Sequence, residues 1–342
     1  MKILLGISGG VDSAFAAKKL IDEGHTVEGA ILVMHDYTEL DAAREVASSV
    51  GFKLCELDCR ERFTRIVKEN FVREYSLART PNPCIICNER VKFACLYEYA
   101  MENGFDRIAT GHYARIVKLG DNASVRYAVA RADDAKKDQS YMLYRLPQQI
   151  LSRLVLPLAD MTKEEVRELA LSAGISSAER RDSQEICFLP DGGHAEYIES
   201  ILGKFPEGNF VNENGEILGK HKGIIRYTVG QRRGLGIALG ERAFVTEINP
   251  GLNTITLSGV MSGKTEISIS NIAYSGLTPP DETTELSAEV KIRYTATPVP
   301  ARITLYTDGR ATLVFDKPLK SAPGQSAVVY EGGHVLFGGF IE

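Results

Sequence analysis

The chain has 342 residues, 44% of them hydrophobic and 25% charged, with a net charge of −5. This composition excludes a disordered polymer and a uniformly basic nucleic-acid coat, and it allows two or three domains around a sizeable core. No apolar run approaches a membrane span and "KILLGI" is too short for a signal-peptide core, so a cytoplasmic protein without a membrane partner is expected.

Strand-like runs at Lys2 to Ile7, Thr26 to Val33, Phe52 to Leu57 and Arg107 to Thr110 alternate with helical patterns. The helices are Val11 to Asp22, Leu40 to Val50, Glu61 to Tyr75 and Asn88 to Asn103, so a doubly wound parallel α/β sheet is predicted. In the first helix Ala14, Ala17 and Ile21 share a face and Gly24 follows as a stop. A hairpin is predicted between Tyr113 and Arg131 with "GDN" at its turn. Helices then resume in "QSYMLYRLPQQIL" and in "TKEEVRELALSAG", where Thr162 and Glu165 form a capping box. From about Phe205 short alternating runs, broken by Asn214-Gly215, Asn249-Pro250-Gly251, Asp308-Gly309 and Gly332-Gly333, predict a small β domain and then a barrel. The expected boundaries are 1–200, 201–262 and 263–342.

Between the first strand and helix stands "SGGVDS", residues 8 to 13. Gly9 and Gly10 let backbone amides approach an anion at a helix N-terminus, and Ser8 and Ser13 add hydroxyls. The loop lacks the lysine of G-x-x-x-x-G-K-[ST] and the spacing of G-x-G-x-x-G, so neither of those phosphate motifs applies. An ordinary tight turn needs fewer small residues than this.

The second informative stretch is "RTPNPCIICNERVKF", residues 79 to 93. Asn88 is expected to cap the following helix, putting Cys84 and Cys87 near its N-terminus, a setting that favours thiolate. C-x-x-C alone fits half a zinc site, a redox pair or a set of cluster ligands. With no second C-x-x-C, zinc is disfavoured; three neighbouring thiols, counting Cys187 in "SQEICFLPDGG", could carry sulfur. Cys55, Cys59 and Cys95 read as small buried residues, and six cysteines in a reducing compartment do not suggest a disulfide framework. Basic residues cluster from Arg60, from Lys220 and in "GQRRG" from Gly230. The first cluster reads as a solvated helix face; the others fit either nucleic-acid backbone contact or loop chemistry.

"SGGVDS" resembles the signature of the PP-loop ATP pyrophosphatases, with their adenine nucleotide α-hydrolase-like fold. Such loops hold the pyrophosphate of ATP while an acceptor oxygen attacks the α-phosphorus. Taken in order, "SGGVDS", "TPNPCIICNERVKF", "TGHYAR", "KDQSYMLYRL", "SQEICFLPDGG" and "GQRRGLGIA" resemble the tRNA-specific 2-thiouridylases of the MnmA/TrmU family, and "VKIRYTA" and "SAPGQSAVVY" extend the resemblance to nearly the whole chain.

The resemblance implies a tRNA-uridine 2-sulfurtransferase that adenylates the 2-carbonyl of the wobble uridine, position 34, and releases AMP and pyrophosphate. It implies ATP and Mg²⁺, a tRNA substrate of the Lys, Glu or Gln type, and a sulfur-carrier or cysteine desulfurase protein as persulfide donor. Cys187 would carry the persulfide, and Cys87 would attack it, ending in a disulfide with Cys187. Many relatives have aspartate where Cys84 stands, so either a thiolate takes that acid-base role or Cys84, Cys87 and Cys187 hold an iron-sulfur cluster. By motif, Gly6, Ile7, Ser8, Gly9, Gly10, Val11, Asp12, Ser13, Met34 and Gly111 would contact ATP. Asn82, Pro83 and Cys84 would line the target base, and His112, Asp138, Gln139, Ser140, Arg293, Tyr294 and Gln325 would contact tRNA. In isolation His112 reads more readily as a strand-end cap, and Asp138 to Ser140 read simply as a helix start. Without the cysteines, the loop would fit another PP-loop ligase of the argininosuccinate or GMP synthetase kind, or a non-catalytic RNA- or metal-binding protein with a vestigial loop.

Overall fold

Residues 2–6 sit at the middle of a five-stranded parallel sheet. Its order is Lys53–Asp58, Thr26–Val33, Lys2–Gly6, Arg107–Thr110 and Leu154–Val155. The computed structural model describes all residues except 122–124, 176, 178–185, 190–192, 238–239, 241 and 262. Ile3, Leu4 and Leu5 are fully buried because helices cover both faces of the sheet, as a continuous apolar run in a parallel strand requires. Val11–Asp22 packs Ala14, Ala16 and Ala17 onto one face and ends before Gly24, whose φ of +83° suits glycine. The fifth strand, two residues long, is too short to leave a period in the sequence.

The helix carrying the cysteines starts earlier than predicted. Asn82 is the N-cap, its side chain accepting from Cys84 N at 3.2 Å, and Pro83 takes the first turn, where its missing N–H has no consequence. Helix Pro83–Cys87 continues through a wide π-type turn, Asn88–Lys92, into Phe93–Glu102. Asn88 is therefore no cap: it is buried inside the helical run and donates through Nδ2 to Met142 O. A second π-type turn, Thr64–Lys68, interrupts the helical stretch between Arg60 and Ser76. Such widened turns concentrate at functional sites.

The predicted hairpin forms from Arg115–Leu119 and Arg126–Ala130; its turn includes Asn122, which lies outside the described residues. A four-stranded sheet follows, in the order Phe244–Asn249, Thr254–Ser258, Gly208–Val211, Ile217–His221. The last six strands form an antiparallel barrel. It closes because Lys264–Tyr274 pairs with both Ala311–Leu319 and His334–Ile341, leaving no free edge there. The hairpin joins the barrel strand His334–Ile341 through the pair His334 and Ala130, so the first domain and the barrel share one continuous sheet.

Candidate active site

The loop after the first strand has the form an anion needs. Gly9 lies at φ +79°, and a Cβ there would stand 2.8 Å from Ala42 Cβ, so only glycine fits between loop and second helix. Ser13 Oγ donates to Gly10 O and accepts from Ser8 N, bracing the turn from inside. Gly10, at the helix N-cap, supplies no capping side chain, which leaves the first-turn amides and the positive helix end to an external acceptor. A Cβ on Gly111 would lie 2.8 Å from Asp12 C and Ser13 N, so the end of the fourth strand rests directly on this loop. Asp12 accepts from Tyr113 Oη at 2.7 Å and, through both oxygens, from Lys163 Nζ at 2.7 Å. Lys163 opens the helix Lys163–Ser172, whose predicted Thr162–Glu165 capping box is present.

Met34 follows the second strand, and the Cys87 thiol donates to its Sδ at 3.7 Å. Position 34, expected beside the nucleotide, thus touches a residue of the sulfur motif. Cys84 and Cys187 are solvent-exposed and Cys87 is buried. The three thiols are near one another: charge on Cys84 or Cys187 disfavours thiolate at Cys87, and charge on Cys84 disfavours it at Cys187. Two motifs a hundred residues apart therefore converge on one place. All six cysteines are free thiols. Ser183 to Glu185 and Pro190 to Gly192, the flanks of the Cys187 motif, lie outside the described residues, as does Ala238 of the "GQRRGLGIA" motif.

The expected lowering of these thiol pKa values is reversed. Burial, the largest cause, pushes Cys87 up to about 12, and the neighbouring thiols add to it, while Lys92 opposes. Burial also raises Cys84 and Cys187, although each keeps an opening to solvent; in both, Lys92 again works toward thiolate. The field of a helix N-terminus is worth about 0.3–1 kcal/mol, less than the loss of water around a buried thiol. Lys92, one wide turn beyond Cys87, is the common cation of this cluster, and the motif reading missed it. Its ammonium also lowers His112, which burial chiefly drives down to about 3, so His112 is a neutral ring. His112 Nδ1 bonds Thr110 Oγ1 at 2.9 Å, and the ring packs on Phe93, one residue after Lys92. Asn88 Oδ1, next to Cys87, is buried without a hydrogen-bond partner among the described residues.

Among the described residues, no three His, Cys, Asp or Glu side chains are arranged to hold a metal ion. Cys84, Cys87 and Cys187 lend no geometric support to the cluster alternative. The other three cysteines are only partly the buried residues expected: Cys59 is in the core, whereas Cys55 and Cys95 are half-exposed. Cys95 accepts from Arg62 at 3.8 Å.

The expected tRNA contacts divide into two groups. Arg293 is exposed, and Tyr294 lies beside Tyr141 with Lys291 over both rings. Asp138 and Ser140 instead face inward. Asp138 accepts from Ala132 N, Ser140 N and Ser140 Oγ, and Ser140 Oγ reaches Tyr330 Oη at 3.1 Å in the barrel. Gln139 Oε1 accepts from Tyr113 N, linking the "DQS" turn to the strand end above the phosphate loop. Gln325 donates to Thr80 O at 2.7 Å. In the central sheet His221 is buried, and Arg226 pairs with Glu196 and Glu199, each at 2.6 Å, leaving Lys220, Lys222, Arg232 and Arg233 as the outward-facing cations of the two basic segments.

Three family models match: a tRNA methyl transferase HUP domain over residues 1–191, a tRNA methyl transferase PRC-barrel domain over 195–259, and an aminomethyltransferase beta-barrel domain over 264–341. The tRNA-specific 2-thiouridylase MnmA of Treponema denticola is 40% identical over 359 residues, covering 100% of this chain and 98% of that protein. The chain belongs to the tRNA-specific 2-thiouridylase family. The tRNA-specific 2-thiouridylases MnmA of Clostridium botulinum and Clostridium perfringens are likewise 40% identical over 358 residues, each match covering 100% of this chain and 98% of the relative. Met34, at the end of the second strand, is in contact with Cys87 of the thiol group.

Proposed function

We propose that this chain replaces the C2 oxygen of the wobble uridine, position 34, of tRNA with sulfur, in the cytoplasm. ATP, entering as its magnesium complex, would lie with its pyrophosphate on residues 8–13 and its adenosine toward Met34 and Gly111. The uracil O2 attacks the α-phosphorus, the bond to pyrophosphate breaks, and the oxygen becomes part of a good leaving group, AMP. Ser8, Ser13 and the backbone amides hold the departing pyrophosphate, while Lys163 fixes Asp12 at the edge of the loop.

Sulfur then arrives through the thiols. Cys187 carries a persulfide loaded by a sulfur-carrier protein or a cysteine desulfurase. The Cys87 thiolate attacks its inner sulfur, forming the Cys87–Cys187 disulfide and expelling hydrosulfide. Hydrosulfide adds at C2, AMP leaves with the old oxygen, and a proton is released as the thiocarbonyl forms. Two external thiols, or one dithiol, supply the two electrons and two protons that reopen the disulfide and leave as a disulfide themselves. The base must leave the anticodon stack to reach Asn82, Pro83 and Cys84, with Arg293, Tyr294 and Gln139 on the side that meets the tRNA. Tyr294 can stack on a base, and Arg293 can meet a phosphate.

The single observation that carries this reading is the 3.7 Å contact between Cys87 Sγ and Met34 Sδ, because oxygen activation and sulfur delivery must occur at one carbon. The test is pyrophosphate release from ATP with unmodified tRNA. Release that depends on the tRNA and is matched by 2-thiouridine in its nucleosides supports the proposal. Release with a small amine or acid acceptor instead would mark another PP-loop ligase, and RNA binding without release a non-catalytic protein.

A further inference from the structure

The segment that leads into the catalytic helix is held from the barrel, 240 residues away in sequence. Thr80 N donates to Pro323 O at 2.8 Å, and Gln325 Nε2 donates to Thr80 O at 2.7 Å, so both backbone polar groups of Thr80 are taken by one barrel loop. Between them Gly324 sits at φ +88°, where a Cβ would stand 3.0 Å from Thr80 N and 3.1 Å from Arg79 Cβ. Arg79 Nη2 also donates to Ile341 O at 3.4 Å. The barrel loop is itself rigid: Gln325 N donates to Ala322 O, and Ile341 N donates to Gln325 O at 2.8 Å. Next to it Ser326 accepts from Tyr141 Oη through its carbonyl and bonds Tyr144 Oη through Oγ, which anchors the same loop to the first domain a second time. From Thr80 only Pro81 separates this clamp from Asn82, the cap of the helix bearing Cys84 and Cys87.

We propose that Gln325, with the bare backbone of Gly324, is a positioning residue that sets the height and direction of the Cys84–Cys87 helix through Thr80 and Asn82. The barrel is then part of the catalytic apparatus as well as a surface for RNA. This rests on the proposed function for its consequence in catalysis, but the positioning itself is a property of the protein alone. Beyond these two bonds Thr80 has no backbone support among the hydrogen bonds of the described residues, so losing the Gln325 donor leaves the chain held by Thr80 N alone, two residues ahead of the cap. A shift of about 1 Å at a reacting group is enough to cost a hundredfold in rate.

The experiment uses the full chain without ligands and follows alkylation of Cys84 and Cys87 by iodoacetamide, read by peptide mass spectrometry. Gln325→Met keeps the bulk and removes the donor; it is expected to speed labelling of buried Cys87 about tenfold or more. Leu313→Ala, in the barrel core away from the clamp, serves as a control for general destabilisation and is expected to leave Cys87 labelling near the wild-type rate. With unmodified tRNA, Gln325→Met should lower the rate of thiolation by a larger factor than it raises the Kd for tRNA. Should Gln325→Met fail to fold, Gly324→Ala tests the same clamp by forcing Thr80 away. Wild-type labelling in the clamp variant, or equal acceleration in the control, overturns the positioning role. If instead labelling rises and the protein thiolates no tRNA, positioning stands and the proposed function falls.

Discussion

Cys87 Sγ lies 3.7 Å from Met34 Sδ, so the wall behind the expected nucleotide and the wall bearing the sulfur nucleophile are one surface. Under the proposed function, a base activated on one side would meet sulfur on the other without leaving the site. Replacing either of the two thiols, Cys87 or Cys187, should therefore separate the two half-reactions. Cys87→Ser and Cys187→Ser are each expected to reduce thiolation by about 10³-fold or more while tRNA binding is retained. Quantifying 2-thiouridine in digested tRNA beside a binding titration checks this.

Gly111 is a steric key. Alanine there would drive a methyl group into the backbone between Asp12 and Ser13, at 2.8 Å, with no flexible side chain to give way. Gly111→Ala should lose about 1–3 kcal/mol of stability from overpacking, and it should weaken ATP binding more than tRNA binding because the displaced atoms belong to the anion loop. Calorimetric titration with each ligand, alongside urea unfolding, distinguishes this from general damage.

Lys163 holds the loop from the other side. Its ammonium is buried against both Asp12 oxygens, whereas the Asp12 side chain stays about one-third exposed at 32%. Lys163→Met should cost roughly 2–4 kcal/mol, less than a fully buried pair because Asp12 retains some water. Urea denaturation reads that loss, and the ATP titration should weaken in parallel.

His112 supplies a pH dependence with a definite sign. Its folded pKa is pushed down to about 3 from an ordinary 6.5, so between those values the unfolded chain binds a proton that the folded chain does not. Stability is fully present above pH 6.5 and falls as pH drops toward 3, by up to about 1.4 kcal/mol per unit. His112→Gln, which cannot charge, should show a shallower acid limb and little change at pH 8. Unfolding free energies from pH 8 to pH 4 give the comparison.

What could be read in advance follows physical range. The anion loop, the parallel strands and the capping box are local: glycine freedom, an apolar run and a Thr-x-x-Glu spacing determine each within a few residues. The thiol site is a long-range object. Residue types made Cys84, Cys87 and Cys187 candidates, but nothing in their spacing brings residue 187 to residue 87; only the family resemblance did.

The sign of their pKa shifts was misjudged because a helix end contributes about 0.3–1 kcal/mol, whereas burial moves a thiol by pKa units. Asn88 looked like a cap because it precedes an amphipathic stretch, but Asn82 with Pro83 starts the helix a turn and a half sooner. Lys92 left no signal beyond one more lysine in a helix. Asp138 and Ser140 carry polar side chains, and only the fold shows them bonded inward beneath the barrel.

The central claim is that the uracil oxygen itself becomes part of AMP. A tRNA carrying heavy oxygen at C2 of the wobble uridine, reacted once with ATP and the persulfide-loaded protein, tests it directly by mass spectrometry of the released AMP. The account predicts heavy oxygen in the AMP phosphate in proportion to the thiolated uridine formed. Heavy oxygen recovered in water or retained in the tRNA, with thiolation proceeding, would contradict it.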